Sequence, residues 1–235
     1  MDSSRANTDI ILKHKAVAIY LLLGGLFISF LIVCNLIANK FIEIPIFFRD
    51  KPFVVSCGIL PYPVTFLITD LLSEFYGRKR TAWVVITGLI SSVFIVFLIR
   101  WAATFPAVSI SPASTEAFNE IFGNSWRVIG ASMVAYLSAQ LLDVQVYEFW
   151  RKVTKGKYLW IRNNGSTIVS QLVDSILVVL VLFLGTLSFS ELQVLILDGW
   201  QFKVLCALID TPFIYLFVYL IRKYFKLQPG EEVQF

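Results

Sequence analysis

Apolar residues fall in long unbroken runs rather than in the short alternating stretches of a soluble fold. Ala16–Asn39 (24 residues), Pro52–Thr69 (18) and Thr81–Ile99 (19) carry no formal charge. About 20 residues of helix cross the hydrocarbon core of a bilayer, so runs of this length predict membrane spans. Three further apolar segments are each interrupted by a carboxylate: Asp143, Asp174 and Asp210. Stopping the fourth segment before Asp143 leaves only Val128–Leu142, too short to cross without tilt or thinning. Continuing through Asp143 to Trp150 gives a full span. The pattern therefore predicts an all-α, polytopic membrane protein, a single six-helix bundle over residues 1–235. Its helices are expected near 14–38, 54–77, 81–104, 127–150, 163–187 and 203–223, with a mobile tail at 227–235.

Composition agrees with this pattern. The chain is 57% hydrophobic and 15% charged, with a mean hydropathy of +0.76. Twenty-one Phe, six Trp and nine Tyr are more apolar surface than one small soluble core absorbs. Fourteen Lys and Arg lie in the N-terminus, around Arg78–Arg80, between Arg151 and Arg162, and at Arg222–Lys226, against six in the other connections. The positive-inside rule then places both termini in the cytoplasm and the connections Lys40–Lys51 and Pro106–Trp126 outside. The net charge of +4 has no basic domain behind it, so no nucleic-acid partner is expected. His14 is the sole histidine, and Cys34, Cys57 and Cys206 are scattered singly. They offer no bis-His haem site, thiolate metal site or disulfide framework, so no cofactor or metal is expected. The first segment has no short h-region with a small-residue cleavage site and reads as a span rather than a signal peptide. Gly58, Pro61 and Pro63 should break or bend the second helix near its outer entrance. Thr115–Phe122 fits a short amphipathic helix in an outer connection.

The informative residues are the polar ones at membrane depth. Asp70 and Glu74 are four apart and share a helix face, as do Gln140 with Asp143 and Gln171 with Asp174 at three apart. Gln140-Leu-Leu-Asp143 and Gln171-Leu-Val-Asp174 repeat one arrangement on neighbouring helices. Asn35 and Asn39 end the first span, and Asp210 precedes Thr211 and Pro212 in the last. An unanswered acid costs roughly 2–3 kcal/mol at a helix centre, so these groups should face an interior cavity. Amides and serines in a bundle also serve as interhelical glue, worth about 0.6 kcal/mol each. Asp70 and Glu74 either couple transport to protons, pair with Arg78 or snorkel inward. Arg127, at the opening of the fourth helix, either closes the cavity or snorkels.

Carboxylates and amides on an aromatic wall suit a small planar solute with N–H donors. A carboxylate accepts two parallel hydrogen bonds from a guanine-like edge, and a primary amide answers a carbonyl and an N–H together. Phe66, Phe75, Tyr136, Tyr147 and Phe149 lie within a turn or two of the acids and could stack on a ring.

Three stretches carry a family likeness. They are Pro63 to Asp70 with Glu74-Phe-Tyr-Gly77-Arg78, then Arg127, Ser132 and Ala135 to Asp143, and then Trp160-Ile-Arg162-Asn163 through Ser166, Thr167, Ser170 and Gln171 to Ser175. With them the chain resembles the queuosine precursor transporter family, also called the vitamin uptake transporters. The resemblance implies a six-helix inner-membrane importer of 7-deazaguanines (preQ0, preQ1, with the free base queuine as an alternative), not an enzyme, with the bilayer and a small solute as partners and a homodimer as an open option. It also implies that Asp70, Glu74, Arg127, Gln140, Asp143, Arg162, Asn163, Ser170, Gln171 and Asp174 matter. Joined to the residue-level reading, Gln140, Asp143, Gln171, Asp174, Asn35, Asn39, Ser170 and Tyr136 are the expected substrate contacts. Asp70, Glu74, Arg127, Arg162, Asn163 and Asp210 are the expected coupling or gating groups. Other classes stay open: a binding subunit served by a separate ATPase, an intramembrane enzyme, or an assembly protein whose acids meet a partner's basic residues.

Overall fold

The computed structural model describes residues 2–45, 51–123, 125–154, 158–228 and 231–233. The side chains of 2–9, Arg78, Ser125, Gln140, Val144, Tyr147, Glu148, Arg151, Leu159, Arg162 and Asn163 lie outside that description. Its elements in chain order are α1 (Asp2–Leu36), β1 (Phe41–Ile44), β2 (Phe53–Ser56), a 3-10 turn (Cys57–Ile59), α2 (Tyr62–Ala102), α3 (Thr115–Phe122), α4 (Ser125–Val153), α5 (Leu159–Phe183) and α6 (Phe189–Phe225). The helical expectation holds for the bulk of the chain, and Thr115–Phe122 is the short helix expected there, capped by Ser114 through the Ala117 N–H.

Four stretches among the described residues are long and apolar enough to cross a membrane: Ile10–Leu36, Lys79–Ala102, Asn164–Phe183 and Phe189–Phe225. Their apolar side chains are largely exposed, with Trp83, Ile90, Phe94 and Phe97 forming one outward face of α2. Such a surface has no aqueous explanation and suits lipid. The first half of α2 and all of α4 are the more polar long helices, holding Asp70 with Glu74 and Arg127 with Asp143.

The segment expected to begin the second helix at residue 54 is instead a strand. Phe41–Ile44 and Phe53–Ser56 pair antiparallel, Phe41 opposite Ser56 and Ile44 opposite Phe53. Val54 and Val55 favour the pleated backbone. The helix starts only at Tyr62, with Pro61 at its N-cap and Pro63 in its first turn. These prolines therefore open the helix, where a missing N–H costs nothing, rather than bending one already under way. Gly58 makes the close approach behind them. A Cβ there would stand 2.4 Å from the Cys34 carbonyl and 3.0 Å from the Ala38 Cβ. The 3-10 turn thus lies directly on the end of α1.

α2 contains two helices joined at Gly77, whose φ of 75° and ψ of 161° are open essentially to glycine alone. Within the segment expected as a mobile tail, the described residue Val233 docks at this kink. Val233 is buried, its N–H donates to the Phe75 carbonyl at 2.7 Å, and the Arg80 guanidinium donates to its carbonyl at 3.3 Å. A kink interrupts the helical ladder, and the tail supplies a donor for a carbonyl beside the break. The main apolar core joins α1 and α2 through Phe27, Leu31, Leu72 and Phe75, with Tyr136 of α4 and Val233 at its edges.

The last helix begins at Phe189 rather than near 203. Ser188 and Glu191 form a reciprocal capping box there, a start signal well ahead of the densest apolar run. The 37 residues of α6 extend about 55 Å at 1.5 Å per residue, longer than a hydrocarbon core of about 30 Å.

Candidate functional site

A cavity of about 120 Å³ lies at the hairpin end of the bundle. The hairpin forms one wall with Val54, Val55 and Ser56; α1 brings Cys34 and Asn35, and Tyr62 opens α2 against it. Ser132 enters from α4, Asp174, Ser175 and Val178 from α5, and Gly199 and Lys203 from α6. Aromatic edges fix the hairpin in place. Phe41 meets Phe183 at 5.6 Å between ring centroids, and Phe53 meets Phe202 at 6.1 Å. The buried Asp198 carboxylate accepts the Val54 N–H at 3.1 Å, tying β2 to α6 by a charge-assisted bond.

Asp174 is the charged centre of this cavity and is only 3% exposed. It forms an ion pair with Lys203, whose ammonium also sits 4.9 Å from the centroid of the Tyr62 ring. The Tyr62 hydroxyl donates to Asp174 at 3.3 Å. Both partners fall on Oδ2, and no other is found for Asp174 among the described residues. Ser175 lines the same wall, and its buried hydroxyl has no hydrogen-bond partner among them. The arrangement is a small apolar-walled chamber whose α5 wall carries a neutralised carboxylate and, beside it, unused polar capacity. It suits a solute that brings its own donors.

The expected substrate contacts separate into groups. Asn35 and Asp174 line the cavity. Tyr136 is buried beside them, within electrostatic reach of both Asp174 and Asp143. Ser170 donates to Asp143 at 3.1 Å, one turn farther along α5. Gln171 is buried with its Oε1 unpaired among the described residues, outside the cavity lining. Asn39 is exposed and donates to the Ile121 carbonyl at 2.9 Å, holding α3 to the end of α1. The Gln140, Arg162 and Asn163 side chains lie outside the described residues, as do those of Arg78 and Tyr147.

Of the expected gating groups, Glu74 pairs with Arg222 and so joins the first half of α2 to the far end of α6. Asp70 has interactions of its own. Asp210 keeps one buried carboxylate oxygen unpaired among the described residues. Its neighbour Thr211 is joined to Asn164 of α5 at 3.2 Å. Arg127 is exposed and lines no part of the cavity. The acids thus lie at successive levels, with Asp174 at the hairpin end, Asp143 deeper, and Glu74 beyond.

Lys203 and Tyr62 were not among the expected site residues. Lys203 reads from sequence as an interface anchor at the outer end of the last span. Its partner Asp174 lies on another helix, so no spacing within α6 signals the pair.

Comparison with known proteins bears on the whole arrangement. Residues 56–217 match the family described as "Putative vitamin uptake transporter". A Bacillus subtilis (strain 168) protein named "Probable queuosine precursor transporter" is 32% identical over 195 residues, covering 81% of this chain and 82% of that one. No solved structure matches the chain. The family match takes in α2 to α5 and most of α6, with Tyr62, Asp174 and Lys203 of the cavity, and with the long apolar helices it fixes the assignment: the chain belongs to the vitamin uptake transporter family and is a multi-pass membrane transporter.

Proposed function

We propose that the protein imports 7-deazaguanine precursors of queuosine across the cytoplasmic (inner) membrane as a secondary carrier, drawing on the proton gradient. One observation carries this reading. A buried carboxylate, Asp174, faces a small apolar-walled cavity with Oδ1 unengaged among the described residues. A planar ring with adjacent N–H donors answers that group, and the apolar walls exclude competing water. The name carried by the Bacillus relative supports the same solute class.

The proposed topology has six spans with both termini inside. The two halves of α2 on either side of Gly77 each cross, with the hairpin completing the outer part of the first crossing. Irregular backbone at that depth borders the cavity, the setting in which a membrane tolerates it. The hairpin end then faces outward, and the Glu74–Arg222 pair closes the inner end. A cysteine placed at Ser109 in a cysteine-free background should react with an impermeant reagent from outside. One at Lys152 should react only after permeabilisation. Labelling of both from one side rejects the topology.

The transport reading is tested with purified protein in sealed vesicles, without ATP or any partner. Labelled 7-deazaguanine should equilibrate across the membrane, and an imposed inward proton gradient should carry it beyond equilibrium. No uptake until a separate ATPase is added would place the chain among binding subunits. Uptake insensitive to the proton gradient would remove proton coupling alone.

A further inference from the structure

We propose that Lys203 reads the ring carbonyl of the substrate and so makes the carrier select 6-oxo over 6-amino bases. The proposal rests on the deazaguanine reading and adds a specificity residue to it. A guanine-like edge presents a carbonyl acceptor, a ring N–H and an exocyclic amine in a row. The carboxylate of Asp174 can take the two donors, as its oxygens match their spacing. The carbonyl then lies beside Oδ2 and needs a donor at that place.

Lys203 stands there. Its ammonium is bonded to Oδ2 and held over the Tyr62 ring, and Asp174 is its hydrogen-bond partner among the described residues. An ammonium carries three N–H donors, so two stay available to a ring carbonyl without breaking the ion pair. The longer 3.3 Å bond from Tyr62 is the one the incoming ring N–H displaces. Gln171, the amide expected to meet the carbonyl, is outside the lining of the cavity. A 6-amino base would turn an N–H donor toward the ammonium, leaving both groups without an acceptor, and its N1, which carries no hydrogen, would set a lone pair against the carboxylate; Lys203 thus adds to a discrimination that Asp174 also makes. Rejection by such a mismatch is far stronger than rejection by shape.

The test is calorimetry on detergent-purified protein with two probes, 7-deazaguanine and 2,6-diamino-7-deazapurine. Wild type should prefer the oxo base by about 100-fold or more. Lys203→Met should lose about 10- to 30-fold in oxo-base affinity, the share of one charged hydrogen bond, while the diamino base changes little or tightens. The preference should then fall at least tenfold, and Lys203→Arg, which keeps a cationic donor, should retain most of it. Size-exclusion profile and thermal melting establish that each variant is folded. If Lys203→Met is not, Lys203→Gln replaces it and should lose part of the preference.

Unchanged oxo-base affinity in the folded Met or Gln variant, or an equal loss for both probes, overturns the proposal. The first outcome would make Lys203 a counter-ion only, and the second a structural brace. Wild-type protein that binds neither probe would instead refute the deazaguanine reading on which the proposal stands.

Discussion

Asp174→Asn should weaken 7-deazaguanine binding by 30-fold to several thousand-fold, or about 2–5 kcal/mol. The substitution keeps the size of the side chain, so no cavity opens. It exchanges one acceptor oxygen for an NH2 donor that faces the donors of the ring. It also strips Lys203 of its counter-charge, although that side chain is only 10% exposed. An uncompensated buried ammonium is itself destabilising, and loss of binding could follow from loss of fold. The double variant Asp174→Asn with Lys203→Met separates the two effects, because its cavity is neutral and carries no orphan charge. It should melt close to wild type and still fail to bind. Wild-type affinity in either folded variant would remove Asp174 from the site.

The Asp143 counterpart should respond differently, for a reason the sequence pattern conceals. Gln140-x-x-Asp143 and Gln171-x-x-Asp174 look equivalent, and equal motifs on adjacent helices suggest a symmetric clamp. The short connection makes α4 and α5 antiparallel, however, so identical motifs come to lie at different depths. Asp143 meets Ser170, while Asp174 is displaced one turn toward the hairpin, where Lys203 and Tyr62 reach it. Spacing within a helix was therefore legible, and the offset between helices was not.

The same division runs through the fold. Unbroken apolar runs reveal helices long enough to span, since nothing else accounts for residues such as 81–99. They do not separate helix from strand within one run, so Val54–Ser56 read as the start of a helix. The β-branched pair Val54-Val55 and the flanking Pro52 and Pro61 carried the contrary signal. The docking of Val233 was not legible either. A polar, acidic segment reads as solvated, and its attachment depends on a carbonyl exposed by a glycine kink elsewhere in the chain. Lys203 failed for a related reason, since a cation near a span end is ordinarily a headgroup anchor and only its partner on α5 shows otherwise.

Glu74→Gln should slow uptake by about 30- to 150-fold while leaving binding in detergent within about threefold of wild type. Glu74 and Arg222 join the first half of α2 to the far end of α6, away from the cavity. Breaking a fully buried pair costs about 3–5 kcal/mol, but these side chains are 29% and 24% exposed, so about 2–3 kcal/mol is expected. Arg222 also has a buried Nε without a partner among the described residues, which makes its carboxylate contact the more important. On the proposed topology this pair closes the inner end while the cavity occupies the outer half. Gln keeps the size of Glu74 but carries no charge to pair with Arg222, so the latch stays released and the outward-facing state loses population by that factor. Calorimetry in detergent reaches the cavity from either side and should not register the change. Uptake in vesicles should register all of it, and an imposed proton gradient should no longer raise accumulation. The charge-exchanged pair Glu74→Arg with Arg222→Glu restores the attraction with its polarity reversed, so it should recover at least a tenfold share of the lost rate. Wild-type uptake by the folded Gln variant would show that the pair is no latch, and a parallel loss of binding would place Glu74 in the site instead.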